Sequence, residues 1–137
     1  NSNQDWGIYV TTSADSNIVG GSIAGEENQI AFNTVNGIYL WDAATTGNLI
    51  SRNPIYNNTG KPINLNYGAN QANNGKAVPV ITTANTTTVV GTGGADWVAG
   101  DIVEVFKNTT NCDCAVTFVG PATVDGSGNC RSALRLQ

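Results

Sequence analysis

The sequence predicts an all-β chain in which a parallel β-solenoid precedes an antiparallel β-sandwich, and three observations carry that prediction. The phrase Gly-Ile-Tyr-Val at residues 7–10 returns as Gly-Ile-Tyr-Leu at residues 37–40, with a weaker third copy, Gly60-Lys61-Pro62-Ile63-Asn64-Leu65. Short phrases with Asn just ahead of an aliphatic residue trail the first two copies: Asn17-Ile18-Val19, Asn28-Gln29-Ile30, Asn48-Leu49-Ile50 and Asn53-Pro54-Ile55. Repeats of about 20–30 residues, made of very short apolar strands with Asn or Gly at the bends, mark a solenoid. Beyond residue 76 the pattern changes to longer β-branched runs at hairpin spacing.

Taken in order, residues 6–65 read as stacked coils. Ile8, Val10, Ile18, Ile30, Phe32, Ile38, Leu40, Ile50, Ile55, Ile63 and Leu65 are the expected inward positions, because side chains alternate along a strand. Asn17, Asn28, Asn33, Asn48, Asn53 and Asn57 fall at strand ends, where Asn tolerates left-handed backbone. Asn at equivalent bends of successive coils can stack into a ladder of amides. Residues 20–27 lengthen the first repeat and read as a loop bulging from one corner. Residues 66–76 contain almost nothing to bury and read as a linker.

The expected strands of the second part are Val78, residues 80–82, 88–90, 102–106, 116–119, 123–124 and 133–136. Gly91 to Gly94, Gly100-Asp101, Gly120-Pro121 and Asp125-Gly126-Ser127-Gly128-Asn129 punctuate them, as in a sandwich. The division is therefore set at residues 1–70 and 71–137.

Composition excludes several partners. The chain has 137 residues, 12% of them charged, and a formal charge of −4 with six basic residues. That balance argues against nucleic acid and anionic membrane surfaces. No run approaches the roughly 18 apolar residues of a membrane span. The chain has no Met, and a mature secreted product or a piece of something longer is expected. Three Cys with no His suit an oxidising, extracellular or cell-surface setting.

Asn17-Ile18-Val19-Gly20-Gly21, Gly25-Glu26-Glu27-Asn28-Gln29-Ile30-Ala31-Phe32-Asn33 and Gly37-Ile38 resemble the right-handed parallel β-helix repeats of large secreted bacterial surface proteins. Residues 53–57 and 63–65 look like the last coil of such a helix. Pro79-Val80-Ile81, Val103-Glu104-Val105-Phe106 and Phe118-Val119-Gly120 resemble the immunoglobulin-like module that often follows it. The resemblance implies right-handed parallel β-helix coils followed by a small Ig-like β-sandwich, apparently truncated because further strands after Leu136 are missing. It is nearly silent on activity. One further departure is Cys130, which stands where that module usually carries an aromatic residue.

Catalysis is not expected. Related β-helix lyases and epimerases abstract a proton with clustered Asp, Lys, Arg and His. This chain has no His, and Arg52 is the sole basic residue in its first sixty. Asp5, Asp15 and Asp42 sit at different corners. Asp125-x-Ser127-x-Asn129 superficially resembles a calcium loop but lacks the distal acid, and reads first as a tight turn. No cofactor or metal is called for. Three glycosylation sequons, at Asn57, Asn85 and Asn108, are close to chance in so Asn- and Thr-rich a chain.

Trp6, Tyr9, Tyr39 and Trp41 are the candidate carbohydrate or partner contacts. Tyr9 and Tyr39 hold the same place in successive repeats and should point outward and stack, and exposed aromatic stripes can hold a sugar's apolar face. The alternative is packing under a loop or a neighbouring chain. Among the cysteines, Cys114 and Cys130 lie about 30 Å apart if residues 116–124 run straight. A local Cys112–Cys114 disulfide, with Cys130 buried or linking chains, is slightly preferred, and Cys130 remains an alternative partner should the chain kink at Gly120-Pro121.

The expected function is a non-catalytic structural or adhesive extracellular module that self-assembles through open β edges. The alternatives are a self-polymerising fibre subunit, and the C-terminal part of a β-helix lyase or epimerase or of a carbohydrate-binding protein. The expected partners are identical subunits or flanking parent sequence, and a polysaccharide is a further candidate.

Overall fold

The computed structural model describes residues 5–66, 71–108 and 115–133. The fold is nearly all β, with parallel and antiparallel sheets, and divides into two compact units. One comprises Asn1–Gly75 and Lys107–Phe118, the other Lys76–Phe106 and Val119–Gln137. The division thus falls five residues after the expected boundary at residue 70, and a segment expected in the second part belongs to the first unit.

Between residues 5 and 66 the first unit contains seven short strands: β1 (Ile8–Val10), β2 (Ile18–Gly20), β3 (Ile30–Ala31), β4 (Ile38–Leu40), β5 (Leu49–Ser51), β6 (Ile55–Tyr56) and β7 (Ile63–Asn64). They form three parallel sheets, β1-β4-β7, β2-β5 and β3-β6. Each sheet takes one strand from each pass of the chain, an arrangement compatible with a β-helix. The repeated phrase sets the register, with Ile8 opposite Ile38, Tyr9 opposite Tyr39 and Val10 opposite Leu40. Ile38 is in turn opposite Ile63.

The Gly that opens each phrase has a steric reason. A Cβ on Gly7 would lie 2.6 Å from the Gly37 carbonyl oxygen, and one on Gly37 would lie 2.7 Å from that of Pro62. Successive passes approach too closely there for any side chain.

The core consists of Ile30, Ile38, Leu40, Ile55 and Ala72, with Ile8, Val10, Val19, Ile50 and Leu65 packed against it. Three expected inward positions differ. Ile18 is 67% exposed and Val19 faces the core instead. Both residues are apolar, so either strand phase satisfied the sequence pattern, and the register pairing Val19 with Ile50 decides it. Phe32 has φ 61° and is exposed, because the chain turns left-handed after β3 and carries the ring outward. Ile63 is exposed on the last strand of its sheet.

The amide ladder forms, with two changes. Asn57 takes up left-handed backbone at φ 51°, while Asn58 supplies the ladder contact to Asn33 at 2.8 Å. Residues 66–76 are also more than a linker. Ala72 is fully buried, Asn73 accepts from Asn48 at 3.0 Å, and residues 72–75 form a tight turn with Asn73 and Asn74 in left-handed backbone.

The second unit contains β8 (Val80–Ala84), β9 (Thr88–Thr92) and β12 (Asn129–Ala133), with all of β10 (Ile102–Lys107) but Lys107 and all of β11 (Thr117–Thr123) from Val119 on. Antiparallel order β12-β9-β8 makes one sheet and β10-β11 another. A single strand runs through Gly120-Pro121, where a break was expected. Pro lacks only a donor and is tolerated on an edge strand, and β11 has one paired neighbour. The small core is Ala122, Val124 and Cys130, covered by Trp97, Val103 and Val105. Val78, Val80, Ile81, Val98 and Ile102 remain exposed. The expected strand at residues 133–136 reaches only Ala133 among the described residues.

Candidate functional site

The outer face of the β1-β4-β7 sheet gathers the predicted aromatics. Alternation turns Ile8, Val10, Ile38 and Leu40 inward and so turns Tyr9 and Tyr39 outward. Their rings lie 5.4 Å apart at an interplanar angle of 14°. Trp6 stacks on Tyr9 at 4.8 Å and on Tyr39 at 5.6 Å. Trp41 stands at 76° to Tyr39 with centroids 5.7 Å apart. All four residues therefore form one cluster, in which three rings turn their faces on one another and Tyr9 and Trp41 remain exposed. Burial, reinforced by the neighbouring Tyr9 phenol, raises the Tyr39 pKa, so its hydroxyl stays protonated and reaches Asn66 Oδ1 at 3.4 Å.

A second grouping was not anticipated. Arg52 lies over the Phe118 ring at 4.3 Å, and Glu27, Pro54, Val116 and Thr117 complete a pocket of about 280 Å³. Glu27 ends the loop of residues 20–27 that lengthens the first repeat. Its carboxyl is held below the ordinary range by main-chain N–H groups of Glu27 and Gly25, with a further contribution from the Arg52 charge. Phe118 is some 66 residues from Arg52 in sequence; no local pattern announces that pairing.

The acids at the corners have structural work. Burial opposes ionisation of Asp42, yet bonds from Thr12, Thr45, Ser13 and Ala44 outweigh it and lower its pKa. Its two oxygens accept from the N–H groups of Thr12 at 2.8 Å, Thr45 at 2.9 Å and Ala44 at 3.0 Å. A carboxyl depressed in the folded state adds stability above its unfolded pKa of about 3.9, and that stability is lost as pH falls through the folded value. Asp42→Asn should therefore lower the melting temperature at neutral pH and flatten the acid limb of a melting series from about pH 7 to 2. Glu27 and Asp101, also depressed, keep part of that limb. An acid limb identical to that of the unsubstituted chain would overturn the assignment.

The turn reading of residues 125–129 agrees with the geometry. Asp125 Oδ1 accepts from Ser127 N at 2.8 Å and Asn129 N at 3.1 Å, and Gly128 N donates to the Asp125 carbonyl. Among the described residues no group of three or more His, Cys, Asp or Glu side chains is placed to hold a metal ion. Cys130 is a buried free thiol beside Gly91, within the second core. Cys112 and Cys114 lie outside the described residues.

Among the described residues no helix is long and apolar enough to cross a membrane. Comparison with protein-family models, curated proteins and solved structures finds no match for the chain.

Proposed function

We propose that the chain is a non-catalytic structural or adhesive module of a secreted or cell-surface protein, built of right-handed parallel β-helix coils followed by an immunoglobulin-like sandwich. The observation that supports this best is the use made of polar side chains in the first unit. Asn48 and Asn53 are buried and form inter-coil bonds to Asn17 and Asn28 at 2.8 and 3.2 Å. Asp42 is committed to main-chain N–H groups. Polar groups so engaged brace successive passes against one another and leave few side chains free for proton transfer. No nucleic acid, membrane or cofactor belongs to this reading.

Assays on uronate-containing and neutral polysaccharides should give no turnover. Reproducible product that disappears in Arg52→Ala would overturn the proposal, since Arg52 is the one basic side chain in the aromatic-lined pocket.

A contact with a polysaccharide or another protein is the second reading, favoured by the aromatic cluster. Aromatic rings with one wet edge are suited to either partner.

A further inference from the structure

The pocket around Arg52 owes its lining to the coil register. Asn28 donates to Asn53, and Ile30 lies opposite Ile55, so residues 25 apart hold the same place in successive passes here. Glu27 and Arg52 are therefore counterparts, an acid and a base stacked at one corner. Gly25 N donates to Glu27 Oε2 at 2.6 Å and so holds the carboxylate at the end of its loop.

A third wall comes from farther along the chain. Ile55 and Ala115 exchange main-chain bonds at 2.6 and 2.7 Å in the antiparallel sense. Counting outward from that bridge sets Val116 opposite Pro54 and Phe118 opposite Arg52. The guanidinium does lie over the Phe118 ring, at 4.3 Å. Asn108 Oδ1 accepts from Val116 N at 3.0 Å and anchors this wall. All six lining residues belong to the first unit.

The lining has two halves. Pro54, Val116 and Phe118 are half-buried and apolar, whereas Glu27, Arg52 and Thr117 are polar. The two charges cancel, so an anion drawn to Arg52 meets Glu27, and a cation drawn to Glu27 meets Arg52. Hydroxyl groups suit both, because each donates to a carboxylate and accepts from a guanidinium. Arginine carries several N–H donors in one plane, and a cation–π contact consumes none of them. The volume of about 280 Å³ stands at the small end of ligand sites and admits one ring-sized group. Glu27 and Thr117 are exposed, so the mouth is open to solvent and to a residue of a longer polymer.

We infer that this pocket binds one neutral pyranose residue of a polysaccharide, with the apolar C–H face of the sugar on Pro54, Val116 and Phe118 and vicinal hydroxyls between Glu27 and Arg52. The site rests on the reading of the chain as a non-catalytic adhesive module, and it shares no residue with the Trp6, Tyr9, Tyr39 and Trp41 cluster.

The test titrates the full chain with the methyl glycosides of glucose, galactose and mannose, and with glucuronate and glycine as charged comparisons. Amide chemical shifts report the binding site. At least one neutral glycoside should give saturable shifts at Glu27, Arg52 and residues 116–118, with a Kd in the millimolar range. Glucuronate should bind at least about fivefold more weakly, through repulsion by Glu27. Glu27→Gln keeps an acceptor for Gly25 and sits on an exposed loop. It should weaken the neutral glycoside by about fivefold and strengthen glucuronate, a crossing of preference that a merely structural role would not produce. Arg52→Gln should weaken both. Shifts confined to Tyr9, Tyr39 and Trp41 would overturn the inference and place the sugar on the aromatic cluster. Tighter binding of glucuronate or glycine than of every neutral glycoside would overturn it in favour of a charged ligand. Hydrolysis of a glycoside would remove the non-catalytic reading and this inference with it, whereas absent shifts without hydrolysis would remove this inference alone.

Discussion

Asn53→Leu is expected to destabilise the first unit by about 3 kcal/mol, the largest loss from any single polar side chain. Asn53 is 2% exposed. Its Oδ1 accepts the main-chain and amide donors of Asn28, while its Nδ2 donates to Val19 O at 2.8 Å and Ser51 O at 3.0 Å. Leucine matches the volume but leaves these donors and carbonyls without a partner in the interior. Each stranded group costs about 1–3 kcal/mol, and part of that is recovered where water reaches Asn28. Gln29→Leu is the control, since Gln29 is exposed, outside the ladder and not in left-handed backbone. Urea unfolding followed by the near-ultraviolet circular dichroism of the stacked rings reads the first unit. Equal losses in the two variants would mean that the ladder contributes no more than surface amides do.

The sequence carried the repeat, the register and the aromatic column, because a solenoid writes its stacking as sequence identity. Gly7 and Gly37 mark where passes approach most closely, and Tyr9 and Tyr39 follow once that register is known. Strand phase was legible only where polar and apolar residues alternate. In Asn17-Ile18-Val19 two aliphatic neighbours fit either face, and tertiary register chose Val19. Ala72 and Asn73 were missed because the third pass keeps the ladder and the core contact while giving up the strand, so the apolar pattern disappears where the packing persists. The Arg52–Phe118 contact joins residues far apart in the chain, and periodicity holds no information about it. Cys130 was placed only as buried or bridging, and packing against Ala122 and Val124 explains the burial.

Ile38→Ala should cost about 4 kcal/mol, whereas Ile8→Ala should cost about half as much. The two residues occupy the same position in successive passes and differ in what lies beyond them. Ile38 has no exposed surface and is flanked in register by Ile8 on one side and Ile63 on the other. Truncation there leaves a cavity that Leu40, Ile30 and Ile55 cannot fill, because Asn48, Asn53 and Asn58 hold the passes at fixed spacing. Ile8 is only half-buried and has a neighbour on one side among the described residues, so much of its side chain already meets water. Urea unfolding of both variants, with the slope against denaturant unchanged, measures the pair. Were Ile8→Ala to cost as much as Ile38→Ala, enclosure between neighbours on both sides would not be what sets the cost.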